Sequence, residues 1–251
     1  MARETLLRPK GISRSEQVRP DLCRTSWYHS EMADQLPLRA QREAISRLGR
    51  EMIEQGLTKG VGGNLSERGN EGRIAISPSG IPYDEITPEM VPVVDADGER
   101  IAGDLEPSSE TPMHAMIYER RPDVGAVVHT HSPYATTFAT LGRPIPPTHY
   151  LVSYVGDQIP VTEYEQPATE ALGREATEAL GESYNACLLQ NHGVIAVGDS
   201  AEEALETALM VEFCARIHYQ ASNVGEPIPV DEENIAELVD DIDEYRKLRT
   251  D

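Results

Sequence analysis

The apolar positions between Leu38 and Gln220 change period several times, and each change marks an element. From Leu38 they recur as Ala44, Ile45, Leu48, Met52 and Ile53, a helical stripe that stops at Gly56, a residue suited to a left-handed C-terminal cap. Short runs at 73–77 and 90–94 read as strands, and Asp97-Gly98 supplies a hairpin turn into Arg100-Ile101-Ala102. A helix opens at Ser108-Ser109-Glu110-Thr111-Pro112, carries Met113, Met116 and Ile117, and closes at Pro122. An apolar strand over 124–131 and a short helix over 136–141 follow, and Pro144, Pro146 and Pro147 then force an extended connection. Residues 167–180 are helical by spacing. The apolar runs 187–190 and 194–197 are strand-length, with Asn191-His192-Gly193 as the turn between them. Ser200-Ala201-Glu202-Glu203 forms a capping box ahead of a long helix whose stripe is Leu205, Leu209, Phe213 and Ile217.

These elements predict one α/β domain over residues 37–225, a sheet covered by helices. Residues 1–36 mix Arg, Pro, Ser and Glu without periodicity and read as an N-terminal extension; residues 226–251 read as an acidic, peripheral tail.

Charge narrows the function. Among 251 residues, 43 Asp and Glu face 22 Lys and Arg, a formal charge of −21, which repels phosphate backbones and anionic lipids. Neither a nucleic-acid partner nor a membrane partner is expected. Lys10, Lys59 and Lys247 are the three lysines of the chain, so its carboxylate coat suits a halophilic cytoplasm. No apolar run is long enough to span a bilayer, and Met1-Ala2-Arg3-Glu4 lacks the pattern of a secretory signal, so the expected location is cytoplasmic. Cys23, Cys187 and Cys214 form no CxxC pair, which argues against a disulfide framework and for buried free thiols.

The chemistry-bearing residues begin with His129-Thr130-His131. Side chains two apart on a strand share a face, so the two imidazoles converge at a spacing that can grip one ion, although two satisfied histidines at a strand end would look the same. His192, in the turn between two apolar strands, can lean over the same sheet edge. Three imidazoles leave one open position on a tetrahedral Zn²⁺. Glu110, at a helix start, is a capping group or, beside a metal, a proton-transfer base. Gly62-Gly63-Asn64, Ser77-Pro78-Ser79-Gly80 and Ser108-Ser109 are turns whose N–H groups and hydroxyls can hold a phosphate, in a spacing that matches neither the P-loop nor the dinucleotide fingerprint.

Six motifs in order, Gly-Gly-Asn-Leu-Ser at 62–66, Ser-Pro-Ser-Gly-Ile-Pro-Tyr at 77–83, Pro-Ser-Ser-Glu at 107–110, His-Thr-His at 129–131, His-Tyr at 149–150 and Asn-His-Gly at 191–193, resemble the class II aldolase and adducin family. That resemblance implies a three-layer α/β/α fold with a central, mainly antiparallel sheet. It further implies one Zn²⁺ per subunit on His129, His131 and His192, with Glu110 as a further ligand and the catalytic acid/base. Gly63, Asn64, Ser79, Gly80, Ser108 and Ser109 would cradle the phosphate of a sugar phosphate. Tyr150 would reach the aldehyde oxygen from a neighbouring subunit of a homotetramer whose active site lies at the subunit interface. The implied reaction is reversible cleavage of a ketose 1-phosphate, L-fuculose 1-phosphate or a related deoxysugar phosphate, into dihydroxyacetone phosphate and an aldehyde such as L-lactaldehyde.

Ribulose-phosphate 4-epimerases share the Thr-Pro-Met-His run after Ser109 but carry Asp where Glu110 stands and Asp at the position of Tyr150. Decarboxylase and dehydratase members are further alternatives. Adducin-like heads, which are binding modules, lack the intact imidazole set retained here.

Overall fold

In the computed structural model, which describes residues 36–250, helix α1 spans Arg39–Glu54 and buries Ile45, Leu48 and Met52, the stripe that its spacing predicts. Gly56 follows with φ 73°, the left-handed geometry expected of a terminating glycine. The chain continues through β1 (Asn64–Arg68), β2 (Ile74–Ile76), β3 (Val93–Val94), β4 (Arg100–Ala102), α2 (Thr111–Arg120), β5 (Ala126–Thr130) and α3 (Pro133–Thr140). A 3₁₀ turn at Tyr150–Tyr154 precedes α4 (Glu170–Leu180), β6 (Ala186–Leu189), β7 (Gly193–Gly198), α5 (Ala201–Val224) and α6 (Glu232–Thr250).

The seven strands form one sheet in the order β4-β3-β2-β1-β5-β7-β6, every neighbouring pair antiparallel. Its central strands are covered on both faces, and their alternation sorts the core in two. Leu65, Ala126, Val128, Leu188, Val194 and Ala196 pack with α1, α3 and α5. Val127, Cys187, Leu189, Ile195 and Val197 pack with Met113 and Ile117 of α2 and Leu172, Ala176 and Leu180 of α4. The result is the three-layer α/β/α arrangement with an antiparallel sheet.

Two expectations change. The buried stripe of α5 runs through Ala201, Ala204, Leu205, Ala208, Val211 and Ala215, and Phe213 is 40% exposed. A strict four-residue repeat drifts around a helix by about 120° over three steps, so Leu205, Leu209, Phe213 and Ile217 cannot all face one sheet. The cap of this helix forms as predicted: Ser200 Oγ accepts from Glu203 N–H at 3.3 Å, and the Glu203 carboxylate accepts from Asp199 N–H at 2.9 Å.

The acidic tail is the second change, because it holds a packed helix. Ile235 of α6 is 2% exposed within the α1/α5 core, and Arg246 donates to Tyr154 O and Thr207 Oγ1 while pairing with Glu203 at 3.0 Å. The described residues from Pro37 onward form one compact unit. The predicted N-terminal extension lies, apart from Leu36, outside the described residues, as does Cys23; Cys187 and Cys214 are buried free thiols. No described helix is long and apolar enough to cross a membrane.

Candidate metal centre and active site

β5 turns Val127 and His129 toward the α2 side of the sheet, and Asn64 of β1 is the register partner of His129. His129 is fully buried. Its Nδ1 lies 2.9 Å from Val194 O, and a carbonyl can only accept, so Nδ1 carries the proton and Nε2 presents its lone pair. That Nε2 lies 3.0 Å from His131 Nε2 and 3.2 Å from Glu110 Oε2. His192 Nε2 lies 3.5 Å from Glu110 Oε1, and one nitrogen of each imidazole lies within 4.8 Å of the others. Burial lowers the His129 pKa to about 3 and depresses that of His131, so both rings are neutral at pH 7. Neutral imidazole nitrogens beside a carboxylate suit a borderline divalent ion such as Zn²⁺, and the Nδ1–H···O=C bond of His129 is the outer contact that orients a ligating histidine. The three histidines could therefore hold a metal.

Local backbone geometry produces this convergence. Asn191 adopts φ 56°, which asparagine tolerates, and His192 N–H closes the turn on Leu189 O. At Gly193 a Cβ would stand 2.2 Å from Thr130 O, so glycine alone lets β7 start against the end of β5 with His192 above it. At Gly63 φ is 72° and a Cβ would lie 2.7 Å from His129 O, so the loop before β1 also presses on the histidine strand.

Glu110 caps α2 with its backbone alone; its carboxylate turns inward, and the residue is 7% exposed. Burial pushes its pKa up and the Asn64 amide donor pulls it down, and on balance it lies below the usual carboxylate value, ionised at neutral pH. Asn64 Nδ2 donates to Glu110 Oε2 at 2.9 Å.

The three polar turns meet beside this carboxylate. Ser108 N–H bonds Ser77 O, Ser79 N–H bonds Glu106 O, and Tyr83 O–H bonds Gly63 O, each at 2.9 Å. Ser79, Gly80 and Ser109 are exposed, and among the described residues the Ser79 and Ser109 hydroxyls make no hydrogen bond. Ser108 is buried, its Oγ accepting from Glu110 N–H at 3.2 Å. Tyr150 stands apart: it is 52% exposed, its ring lies 4.9 Å from His149, and among the described residues it makes no hydrogen bond to the histidines or Glu110.

Sequence reasoning missed three residues behind the site. His114 Nε2 lies 2.5 Å from Asn64 Oδ1, His114 Nδ1 lies 2.6 Å from Ser66 Oγ, and Ser66 Oγ lies 2.8 Å from the Tyr118 hydroxyl. The signal was a double period. Glu110, His114 and Tyr118 stand four apart on a helix and Asn64 and Ser66 two apart on a strand, so polar side chains interlock where both patterns predict apolar ones.

Comparison with known proteins agrees with this architecture. Residues 43–219 match the family model described as the class II aldolase and adducin N-terminal domain. The chain is 45% identical over 203 residues to the 5-deoxy-D-ribulose 1-phosphate aldolase of Bacillus thuringiensis serovar kurstaki, covering 79% of this chain and 95% of that protein. It is 40% identical over 196 residues to the 5-methylthioribulose-1-phosphate/5-deoxyribulose-1-phosphate aldolase of Rhodospirillum rubrum, covering 77% and 87% respectively. A solved L-fuculose 1-phosphate aldolase superposes with a TM-score of 0.79 at 36% identity, over 81% of this chain and 96% of that one. With its sheet, its three-histidine cluster and these matches, the chain belongs to the class II aldolase and adducin family.

Proposed function

We propose that this chain is a Zn²⁺-dependent aldolase that reversibly cleaves a short deoxyketose 1-phosphate into dihydroxyacetone phosphate and an aldehyde. The observation that carries the reading is the buried Glu110 carboxylate, 3.2 and 3.5 Å from His129 and His192 and beside loops with free hydroxyls. His129, His131 and His192 hold the ion, which when bound polarises the substrate carbonyl and takes up the negative charge that C–C cleavage releases. Asn64, Ser108, the half-buried Gly63 and the exposed donors of Ser79, Gly80 and Ser109 bind the phosphate without a positive side chain.

In cleavage the ionised Glu110 carboxylate takes the C4 hydroxyl proton, the C3–C4 bond breaks with its electrons left on C3, and the carboxylic acid so formed returns that proton to C3 to complete dihydroxyacetone phosphate. In condensation the Glu110 carboxylate removes that same C3 proton. Tyr150, exposed and, like Phe213, set against the His149 ring, reaches the aldehyde oxygen of a neighbouring copy in a cytoplasmic homotetramer.

The substrate reading rests on the relatives. The two compared by sequence, at 45% and 40% identity, carry 5-deoxyribulose 1-phosphate in their names, which supports reading that compound, yielding acetaldehyde, as the first substrate to test. The second reading is L-fuculose 1-phosphate with L-lactaldehyde, favoured by the 0.79 structural match. The test supplies each of these and L-ribulose 5-phosphate to the Zn²⁺-loaded protein in KCl. Triose phosphate release from either ketose 1-phosphate is expected; conversion of L-ribulose 5-phosphate to its epimer, with no triose from the others, would replace the aldolase reading with an epimerase.

A further inference from the structure

Helix α2 and strand β1 interlock through a single file of polar side chains that ends on the Glu110 carboxylate: Tyr118, Ser66, His114, Asn64, Glu110. His114 and Ser66 are 0% exposed, Asn64 and Tyr118 5%. A buried run of this length has a cost unless every member is satisfied, and here each donor has an assignable direction. An ionised carboxylate only accepts, so Asn64 turns its Nδ2–H₂ to Glu110 and its Oδ1 to His114. An amide oxygen only accepts, so His114 carries its proton on Nε2. The remaining His114 Nδ1 is an acceptor for the Ser66 hydroxyl, whose oxygen accepts from Tyr118 O–H. Burial lowers the His114 pKa to about 4, which agrees with a neutral ring. His114 thereby pins an amide whose rotation would otherwise be free to offer Glu110 an oxygen in place of a donor.

We propose that His114 is a positioning residue for proton transfer: in its Nε2–H form it locks the Asn64 amide, and Asn64 locks one oxygen of Glu110 in the orientation that meets the reacting carbon. The proposal rests on the reading of Glu110 as the acid/base. The second hydrogen of Asn64 Nδ2 is left over for the substrate, so the same locked amide can serve phosphate and carboxylate together.

The test uses the full chain, loaded with Zn²⁺ and assayed with 5-deoxyribulose 1-phosphate and L-fuculose 1-phosphate. H114L removes the donor; H114Q, whose amide nitrogen reaches the position of Nε2, restores it. H114L is expected to lower kcat by about ten- to a hundredfold and to raise KM by a smaller factor, because the lost contact orients a proton carrier and only through the same amide the phosphate. H114Q should recover most of that loss, and in an E110Q background H114L should cost nothing further. If H114L does not fold, S66A carries the same test, since it removes the donor that holds the His114 tautomer and leaves only a small void; a kcat loss of about threefold or more is expected. The imidazole ¹⁵N spectrum of the wild-type protein gives a readout independent of turnover and should show His114 with a protonated Nε2 and a bare Nδ1. A fully active H114L, a folded H114Q as slow as H114L, or a protonated Nδ1 would each overturn the proposal alone. A wild-type protein that leaves both ketose 1-phosphates intact would overturn the underlying function, whatever the tautomer.

Discussion

Glu110 illustrates how one side chain acquires a role from its neighbours. At a helix N-terminus a carboxylate is ordinarily a cap, yet here the backbone N–H of Glu110 bonds Ser108 Oγ and the carboxylate is free to turn inward toward Asn64, His129 and His192. Replacing it with Gln keeps the shape and the metal-facing oxygen but removes the group that carries a proton. E110Q is therefore expected to retain Zn²⁺ stoichiometry by mass spectrometry while turnover falls about a hundredfold or more; near-normal turnover would assign the proton transfer elsewhere. Asn191 shows the same principle in the backbone, since its left-handed φ of 56° sets the turn from which His192 reaches the cluster.

At the scale of elements, the site depends on how closely β5 and β7 approach. Gly193 sits where a Cβ would stand 2.2 Å from Thr130 O, so G193A should lower stability by about 1–3 kcal/mol and reduce Zn²⁺ affinity together, read by denaturant titration and metal competition. On β1, alternation sends Asn64 and Ser66 to the site and Glu67 to the opposite face, beside the Arg47–Glu202 ion pair. Burial, then the charge of Glu202, pushes the Glu67 carboxyl up to about 7, with Arg47 opposing. A raised acid binds its proton more tightly folded than unfolded, so stability falls as pH rises from about 4.5 through 7. E67Q should accordingly melt higher than the wild type at pH 8, with the difference vanishing toward pH 4.5; an equal gap at both pH values would refute the assignment. Most of this architecture is legible in advance, because the apolar run that holds 126–130 and the one-sided helices Arg39–Glu54 and Glu170–Leu180 mark their elements plainly. The α5 stripe was misjudged because a four-residue repeat winds off the face. α6 escaped because one isoleucine and one arginine anchor it within an acidic sequence. The polar file behind Glu110 hid in positions that a core pattern assigns to apolar residues. The three histidines were legible as types and spacing, and their meeting depended on glycine contacts that no spacing reveals.

For the whole molecule, a net charge of −21 sets the conditions of stability. Like charges on a compact surface repel, and salt screens them over a Debye length of about 3 Å at 1 M, so the melting temperature and the recovery of activity on refolding should both rise between dilute buffer and molar KCl. Insensitivity to KCl would remove the halophilic reading. The exposed Tyr150 and Phe213 are expected to be covered by a neighbouring copy, with light scattering giving the mass of a tetramer, and Y150F slowing turnover without loss of metal. The central claim is that the His129, His131, His192 and Glu110 centre performs metal-dependent aldol cleavage. It is tested most directly by stripping the protein with a chelator, then measuring dihydroxyacetone phosphate release from 5-deoxyribulose 1-phosphate and L-fuculose 1-phosphate before and after one equivalent of Zn²⁺. The account predicts no release from the stripped protein and its recovery at one ion per chain. Equal rates with and without metal, or none in either state, would contradict it.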